Sequence, residues 1–490
     1  MTPPGALLIR NAEIDGRPGL DVRVARGCIV DIGPNLRQAG DVSVIEAGGG
    51  ALIPGLIDHH IHLLAEAAQR QSLRLDGETP GAFAERLQAA AHRTSPGAWL
   101  RATGYDEAMA GDLSLAELDR LAPEVPVRIQ HRTGALWMFN SAALALLLRE
   151  GDTPPPGLEQ VDGEPTGRLF REDAWLAERL GPTLPDLAAL GAALARHGIT
   201  GVTDASAVTD ADRAAALADA HRTGALPQRL MLMSRGPLSA PEDGAYAVGP
   251  VKLLLDDHAL PDFGAALALV HGAGRQGRAL AVHCVTQGEL AFALGLWSAA
   301  GARPGDRIEH GGIIPRDAIG QIADLGLTVV TQPRFIHERG DRYLATVDPI
   351  DLPALYPCAS LIEGGVAVAA GSDAPYGSPD PWAAIEAATA RTTRSGQPLG
   401  LGERIGARRA LGLFLGAAEA PGGAERKVEI GAAADLCLLD APLADMLAAP
   451  SSSRVRATVI GGAAVHDREE TSATMAGGTA TLPEMGRDKN

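Results

Sequence analysis

Strand-like apolar runs alternate with alanine-rich helical runs through the middle of this chain, and few folds accommodate such a pattern. "LIPGLIDHHIH", "PVRIQH", "GITGVTD", "VKLLLDD", "ALAVHC", "RIEHGG", "LTVVTQ" and "VAVAAGSD" read as strands. Segments such as "DFGAALALVHGAGRQG", "RDAIGQIADLG" and "PWAAIEAATARTTRS" read as the helices between them. Repeated βα units favour a parallel sheet, open or closed. Strands of such a sheet are covered on both faces and so are apolar along their length. Most of these runs end in a polar or ionisable residue, which is where a TIM-type barrel places its chemistry. The expected fold class is therefore α/β, a (β/α)8 barrel.

Both chain ends depart from that pattern. "ALLIRNAEIDG", "LDVRVARGCIVDIG" and "VSVIEAGGGALIPG" are short strands punctuated by turn residues, and "ADLCLLD" and "RVRATVIGGAAV" repeat the style near the far end. The two ends, 1–53 and 421–467, are expected to build one small β domain around a barrel spanning 54–420. Within the barrel span, residues 65–190 hold helical runs, the proline-rich "DTPPPGLEQVDGEPTG", and Trp99 and Trp137. That stretch reads as an insertion capping the barrel mouth. The polar, aperiodic tail 468–490 reads as disordered.

Composition excludes several functions. A formal net charge of −17 and the lack of a long basic run argue against a nucleic-acid or anionic-membrane surface. No apolar stretch approaches the roughly 18 residues needed to span a bilayer, and the first residues lack the basic and apolar regions of a signal peptide. Cys28, Cys284, Cys358 and Cys437 are scattered without a CxxC pair and read as buried free thiols of a reducing cytoplasm.

"ALIPGLIDHHIH" carries the sharpest chemical signal. Residues i and i+2 of a strand share a face, so His60 and His62 point together and can offer imidazole nitrogens to a metal. His59 points the other way. Two satisfied core histidines are the alternative. Lys252, His283, His310 and Asp373 then follow, each a ligand-type or proton-transfer residue at or near the end of its own βα unit. A barrel gathers such ends at one mouth.

Lys252 is conspicuous for a second reason. The chain has 43 basic residues, yet only Lys252, Lys427 and Lys489 are lysines. A buried ammonium is costly unless paired or neutralised, and arginine, unlike lysine, cannot lose its proton. Snorkelling, or a pairing with Asp256 or Asp257, is the plainer explanation.

In this order, "IPGLIDHHIH", the strand lysine, "AVHC", "RIEH" and "GSDAP" resemble the amidohydrolase superfamily, in the metal-dependent branch that holds N-substituted formamide deformylases. The resemblance covers nearly the whole chain and implies a small β-sandwich domain built from both chain ends. It implies His60, His62 and Asp373 on one metal, His283 and His310 on a second, and Lys252, carbamylated by CO2, as the bridge. Two zinc ions suit that donor set, with Mn, Fe or Co as alternatives. The implied reaction is attack by a metal-activated water on an amide, N-acyl or N-formyl carbonyl of a small molecule, with Asp373 as general base and then acid. A homodimer is expected, and neither nucleic acid nor membrane as partner.

The chain also departs from the family. Relatives carry a histidine where "HRTGALWMFNSAAL" places Ala135. Trp137 or His131 would then serve the substrate, with core packing as the alternative for Trp137. Arg334 in "TQPRF" is placed to hold an anionic or carbonyl group, and Glu309 reads as a partner behind the site. A mononuclear deaminase of a heterocyclic amine is the competing reading, although Lys252 speaks against it. A non-catalytic scaffold would usually have lost several of the six ligand-type residues.

Overall fold

Eight strands form the central sheet, and most of their residues, ionisable ones included, are buried because both faces of a parallel sheet are covered. They are Leu56–Ile61, Ile199–Asp204, Arg229–Ser234, Ala247–Leu253, Leu280–Cys284, Arg307–His310, Thr328–Thr331 and Ala367–Ala370, neighbours in chain order. Every neighbouring pair is parallel. The last strand returns to the first. The N–H of Asp373 donates to the His60 carbonyl at 2.7 Å, and that of His62 donates to the Ala374 carbonyl at 2.8 Å. The buried Asp58 carboxylate accepts the Ser372 N–H at 2.9 Å and its hydroxyl at 2.6 Å. The sheet is thus a nearly closed barrel.

This computed structural model describes residues 6–469, apart from 39, 41, 76–78, 96, 150–151 and 182–183. From 470 onward the tail expected to be disordered lies outside the described residues. The chain divides into two units, one comprising Met1–Leu63 and Ala188–Asn490, the other Leu64–Leu187.

One member of the expected strand set needs correction, and one barrel strand was not expected. "PVRIQH" is not a barrel strand: Val127–His131 belongs to a separate six-stranded sheet inside Leu64–Leu187. Its residues alternate between buried and partly exposed, the mark of a half-covered strand rather than a doubly covered one. The barrel's third strand is instead Arg229–Ser234, "RLMLMS". It has no β-branched or aromatic residue, so propensity does not single it out.

The first unit also carries two four-stranded sheets. One consists of Ala6–Ile14, Arg17–Ala25, Cys28–Gly33 and Val42–Glu46. The other joins Leu52–Pro54 to Leu436–Leu439, Val455–Ile460 and Ala463–Asp467. Ile9, Val22, Ile45, Leu52, Leu438 and Val459 share one apolar cluster between them. Of the four cysteines, Cys284, Cys358 and Cys437 are buried as expected, but Cys28 is exposed.

Helix caps fix where chemistry-bearing strands stop. After Cys284, "TQGE" forms a capping box: the Glu289 N–H donates to the Thr286 hydroxyl at 3.1 Å, and the Thr286 N–H donates to the Glu289 carboxylate at 3.0 Å. The helix Gln287–Ala300 therefore begins directly behind His283.

Candidate metal centre

His60, His62, Lys252, His283, His310 and Asp373 all line one cavity of about 560 Å³. The barrel brings together six residues spread over more than three hundred positions. Ligand atoms of His60, His310 and Asp373 lie within 4.8 Å of one another. The rings of His283 and His310 are 4.5 Å apart between centroids, and those of His60 and His310 are 4.7 Å apart. His62 Nε2 lies 3.2 Å from Asp373 Oδ1.

Backbone conformation aims two of these side chains. His310 sits at φ +70° and Asp373 at φ +54°, a left-handed region that non-glycine residues enter rarely and that clusters at functional sites. Both lie where a strand gives way to a loop.

Groups behind the imidazoles orient them. His60 Nδ1 is bound by the Glu309 carboxylate, which Arg307 in turn holds. Arg307 also donates to the His59 carbonyl at 2.6 Å. His62 Nδ1 meets the Ser206 hydroxyl at 3.1 Å, and His310 Nδ1 meets Gln332 Oε1 at 2.9 Å. Where Nδ1–H donates to these partners, Nε2 of the ring is left with its lone pair for a metal, the usual arrangement behind metal-binding histidines. His59, whose ring nitrogens have no hydrogen-bond partner, is pushed down to about 3 by burial and the nearby Arg307 and Arg426, and stays neutral.

The charged groups of the site are strongly coupled. Burial raises the Asp373 carboxyl, but His310, His60 and His62 outweigh it and hold the group well below the usual carboxylate range. Glu309 is likewise held down, with Arg307, Lys252 and His60 overcoming its burial. Burial pulls His283 down to about 4 and lowers Lys252. Among the described residues that line this cavity, three buried atoms make no well-formed hydrogen bond: His60 Nε2, Lys252 Nζ and Asp373 Oδ1, the first and last facing each other at 3.4 Å. Buried polar atoms are seldom left so. Imidazole nitrogens, a carboxylate oxygen and an unpaired amine are the donors a divalent metal pair would take, so the residues fit the group.

The substrate-side expectations fall elsewhere. Arg334 opens the helix Arg334–Thr346, and its guanidinium donates to Glu338 at 3.2 Å and to the Ala383 carbonyl at 3.3 Å. It is not among the residues lining the cavity. His131 and Trp137 belong to the Leu64–Leu187 unit. His131 engages Thr133 at 2.8 Å and Glu107 at 3.0 Å. Trp137 is buried in that unit's apolar cluster, with Arg101 and Arg128 over its ring. The sequence reading missed Arg339, Arg342, Tyr343, Tyr356 and Tyr376, which do line the cavity. Phe335, Arg339, Arg342, Tyr343 and Thr346 follow i, i+4, i+7, i+8 and i+11, a single helix face. That spacing was the available signal.

Comparison with known proteins gives the family. An N-substituted formamide deformylase from Arthrobacter pascens is 25% identical over 521 residues, covering 90% of this chain and 94% of its own. A putative amidohydrolase, YtcJ, from Bacillus subtilis (strain 168) is 25% identical over 404 residues, covering 71% of this chain and 74% of its own. The crystal structure of an uncharacterized metal-dependent hydrolase from Pyrococcus furiosus superposes with a TM-score of 0.71 at 18% identity, covering 89% of this chain and 99% of that one, a likeness of fold. The model of the amidohydrolase family matches residues 43–466, and the chain is therefore an enzyme of the amidohydrolase family.

Proposed function

We propose that this enzyme hydrolyses a carbon–nitrogen bond of a small amide, N-acyl or N-formyl compound at a centre of two divalent metals, zinc being the best fit to the donors. The observation that carries the reading is the set of buried atoms without a well-formed hydrogen bond on His60, Lys252 and Asp373, in one cavity with His62, His283 and His310. The similar Arthrobacter pascens protein, an N-substituted formamide deformylase, supports the bond type.

His60, His62 and Asp373 would hold one ion, His283 and His310 the other, and Lys252 would bridge them as its carbamate. Such ions supply Lewis acidity and a lowered pKa for water. The protein's own residues do the rest. Lys252 is buried, and burial lowers its pKa, which favours the neutral amine that CO2 would take. Carbamylation turns a buried cation into an anion, which arginine cannot do. Asp373 is held ionised and takes a proton from water at Oδ1, then returns it to the leaving nitrogen. Glu309, fixed by Arg307, keeps the His60 ring from turning.

Elemental analysis of protein purified without chelator, with bicarbonate added, tests the centre. Close to two metals per chain are expected for the wild type, and one or none for Lys252→Arg. Hydrolysis of a panel of N-formyl and N-acetyl amines should fall with the metal content. One metal in both proteins would remove the bridge and turn the reading toward mononuclear deaminase chemistry. A metal-replete enzyme silent on every amide would remove the proposed reaction.

A further inference from the structure

The cavity that holds the candidate metal ligands has a second chemical character on one wall. Arg339 and Arg342 line it from the helix Arg334–Thr346, together with Tyr343 on the same face. Among the described residues lining the cavity, Asp373 alone is acidic. The acidic neighbours of the two arginines on this helix are engaged elsewhere. Glu338 takes Arg334 at 3.2 Å, and Asp341 accepts from the hydroxyls of Thr393 and Ser395. In a chain of net charge −17, a cavity wall with two arginines and no carboxylate on its helix face runs against the composition.

The two guanidiniums differ in how they are held. Arg339 lies over the Phe335 ring at 3.7 Å and donates one N–H to the Tyr376 carbonyl at 2.6 Å. A guanidinium held over an aromatic ring and by a backbone carbonyl has little freedom to turn, so its remaining N–H groups are preset for two-point contact with a carboxylate. Arg342 is exposed and makes no ion pair among the described residues. Tyr343 and Tyr356 stack beside them, with ring centroids 6.0 Å apart and hydroxyls 3.3 Å apart.

We infer that the substrate carries a carboxylate, received by Arg339 and Arg342, on an apolar body that lies against Tyr343 and Tyr356. This rests on the amide-hydrolase reading and narrows it to amides of acids such as N-acyl amino acids. The arginines bind and orient, and the bond cleaved lies at the metal-ligand end of the cavity.

The test compares N-formylphenylalanine, each enantiomer separately, with N-formylphenethylamine, which has the same apolar body without the carboxylate. Binding to the metal-replete enzyme is measured by isothermal titration calorimetry, and turnover by amine release. The acid should bind about tenfold or more tightly than its neutral analogue, as charge-assisted hydrogen bonds allow. That ratio should fall several-fold in Arg342→Gln, Arg339 retaining part of it, and recover partly in Arg342→Lys, with the change in turnover appearing in KM rather than kcat. Arg342 is exposed, so the substitution does not threaten folding. Equal binding of the two compounds, no binding of either enantiomer of the acid, or a ratio untouched by Arg342→Gln overturns the inference. A ratio that behaves as expected without any turnover keeps the carboxylate site and, with the amide panel silent as well, removes the amide-hydrolase reading.

Discussion

Glu309 shows how far single residues could be read from the sequence. Alternation along "RIEH" turns it away from His310, which was legible; that it would meet His60, 249 positions earlier, was not. Only the closed sheet puts the first strand within its reach. The six ligand-type residues were legible because each sits at or near a strand end and is chemically out of place there. The arginines and Tyr343 of the cavity wall share a helix spacing that Phe335 makes read as core, and Tyr356 and Tyr376 lie on loops that no local pattern ties to the cavity. Glu309 carries a prediction of its own. Its charge fixes the His60 ring and neutralises Arg307, which is 1% exposed. Glu309→Gln should lower metal affinity about 10- to 100-fold, the usual loss when a group supporting a metal-bound histidine is removed. Competition with a chelator reads it directly. The melting temperature should fall as well, since the buried Arg307 loses its counter-charge. Unchanged metal affinity would show that Glu309 supports the fold and not the ligand.

At the level of elements, the count of eight barrel strands was readable and one of its members was not. "PVRIQH" and "RLMLMS" differ in pattern more than in propensity. The first alternates and lies in the sheet of the other unit, while the second is continuously apolar after Arg229 and lies in the barrel. Weighting continuity above β-branching would have chosen correctly. What no local pattern reveals is how the last strand meets the first. That seam depends on Asp58, whose carboxylate accepts from the Ser372 N–H and hydroxyl and from the His60 N–H at 3.1 Å. Burial pushes its carboxyl up to about 6. Asp58→Ala leaves three buried donors without an acceptor and should cost roughly 3 kcal/mol or more. Asp58→Asn keeps one acceptor oxygen and should cost less. Denaturant unfolding monitored by circular dichroism ranks the two. If Asp58→Ala matched the wild type, closure of the barrel would rest on other contacts.

For the whole chain, each unit has a sheet and apolar clusters of its own, so one cooperative transition is not expected. Residues Leu75, Phe83, Leu118 and Ile129 form a core within Leu64–Leu187, and Trp137, Phe139 and Leu169 form another there. The distribution of probes makes this measurable without engineering. All four cysteines lie in the other unit, whereas Trp99, Trp137 and Trp175, three of the five tryptophans, lie in Leu64–Leu187. In the native protein burial pushes the Cys437 thiol up to about 12 and Cys358 up to about 11, and raises Cys284 well above its ordinary value. The thiolate is the reactive form, so these three are inert at pH 8 while exposed Cys28 reacts. One thiol per chain should therefore titrate before unfolding and four afterward. Along a denaturant series, the appearance of the three protected thiols follows the barrel-bearing unit, and tryptophan fluorescence is weighted toward the other. The two curves should have different midpoints. Coincident midpoints would mean that the units unfold together, with coupling stronger than their separate cores require.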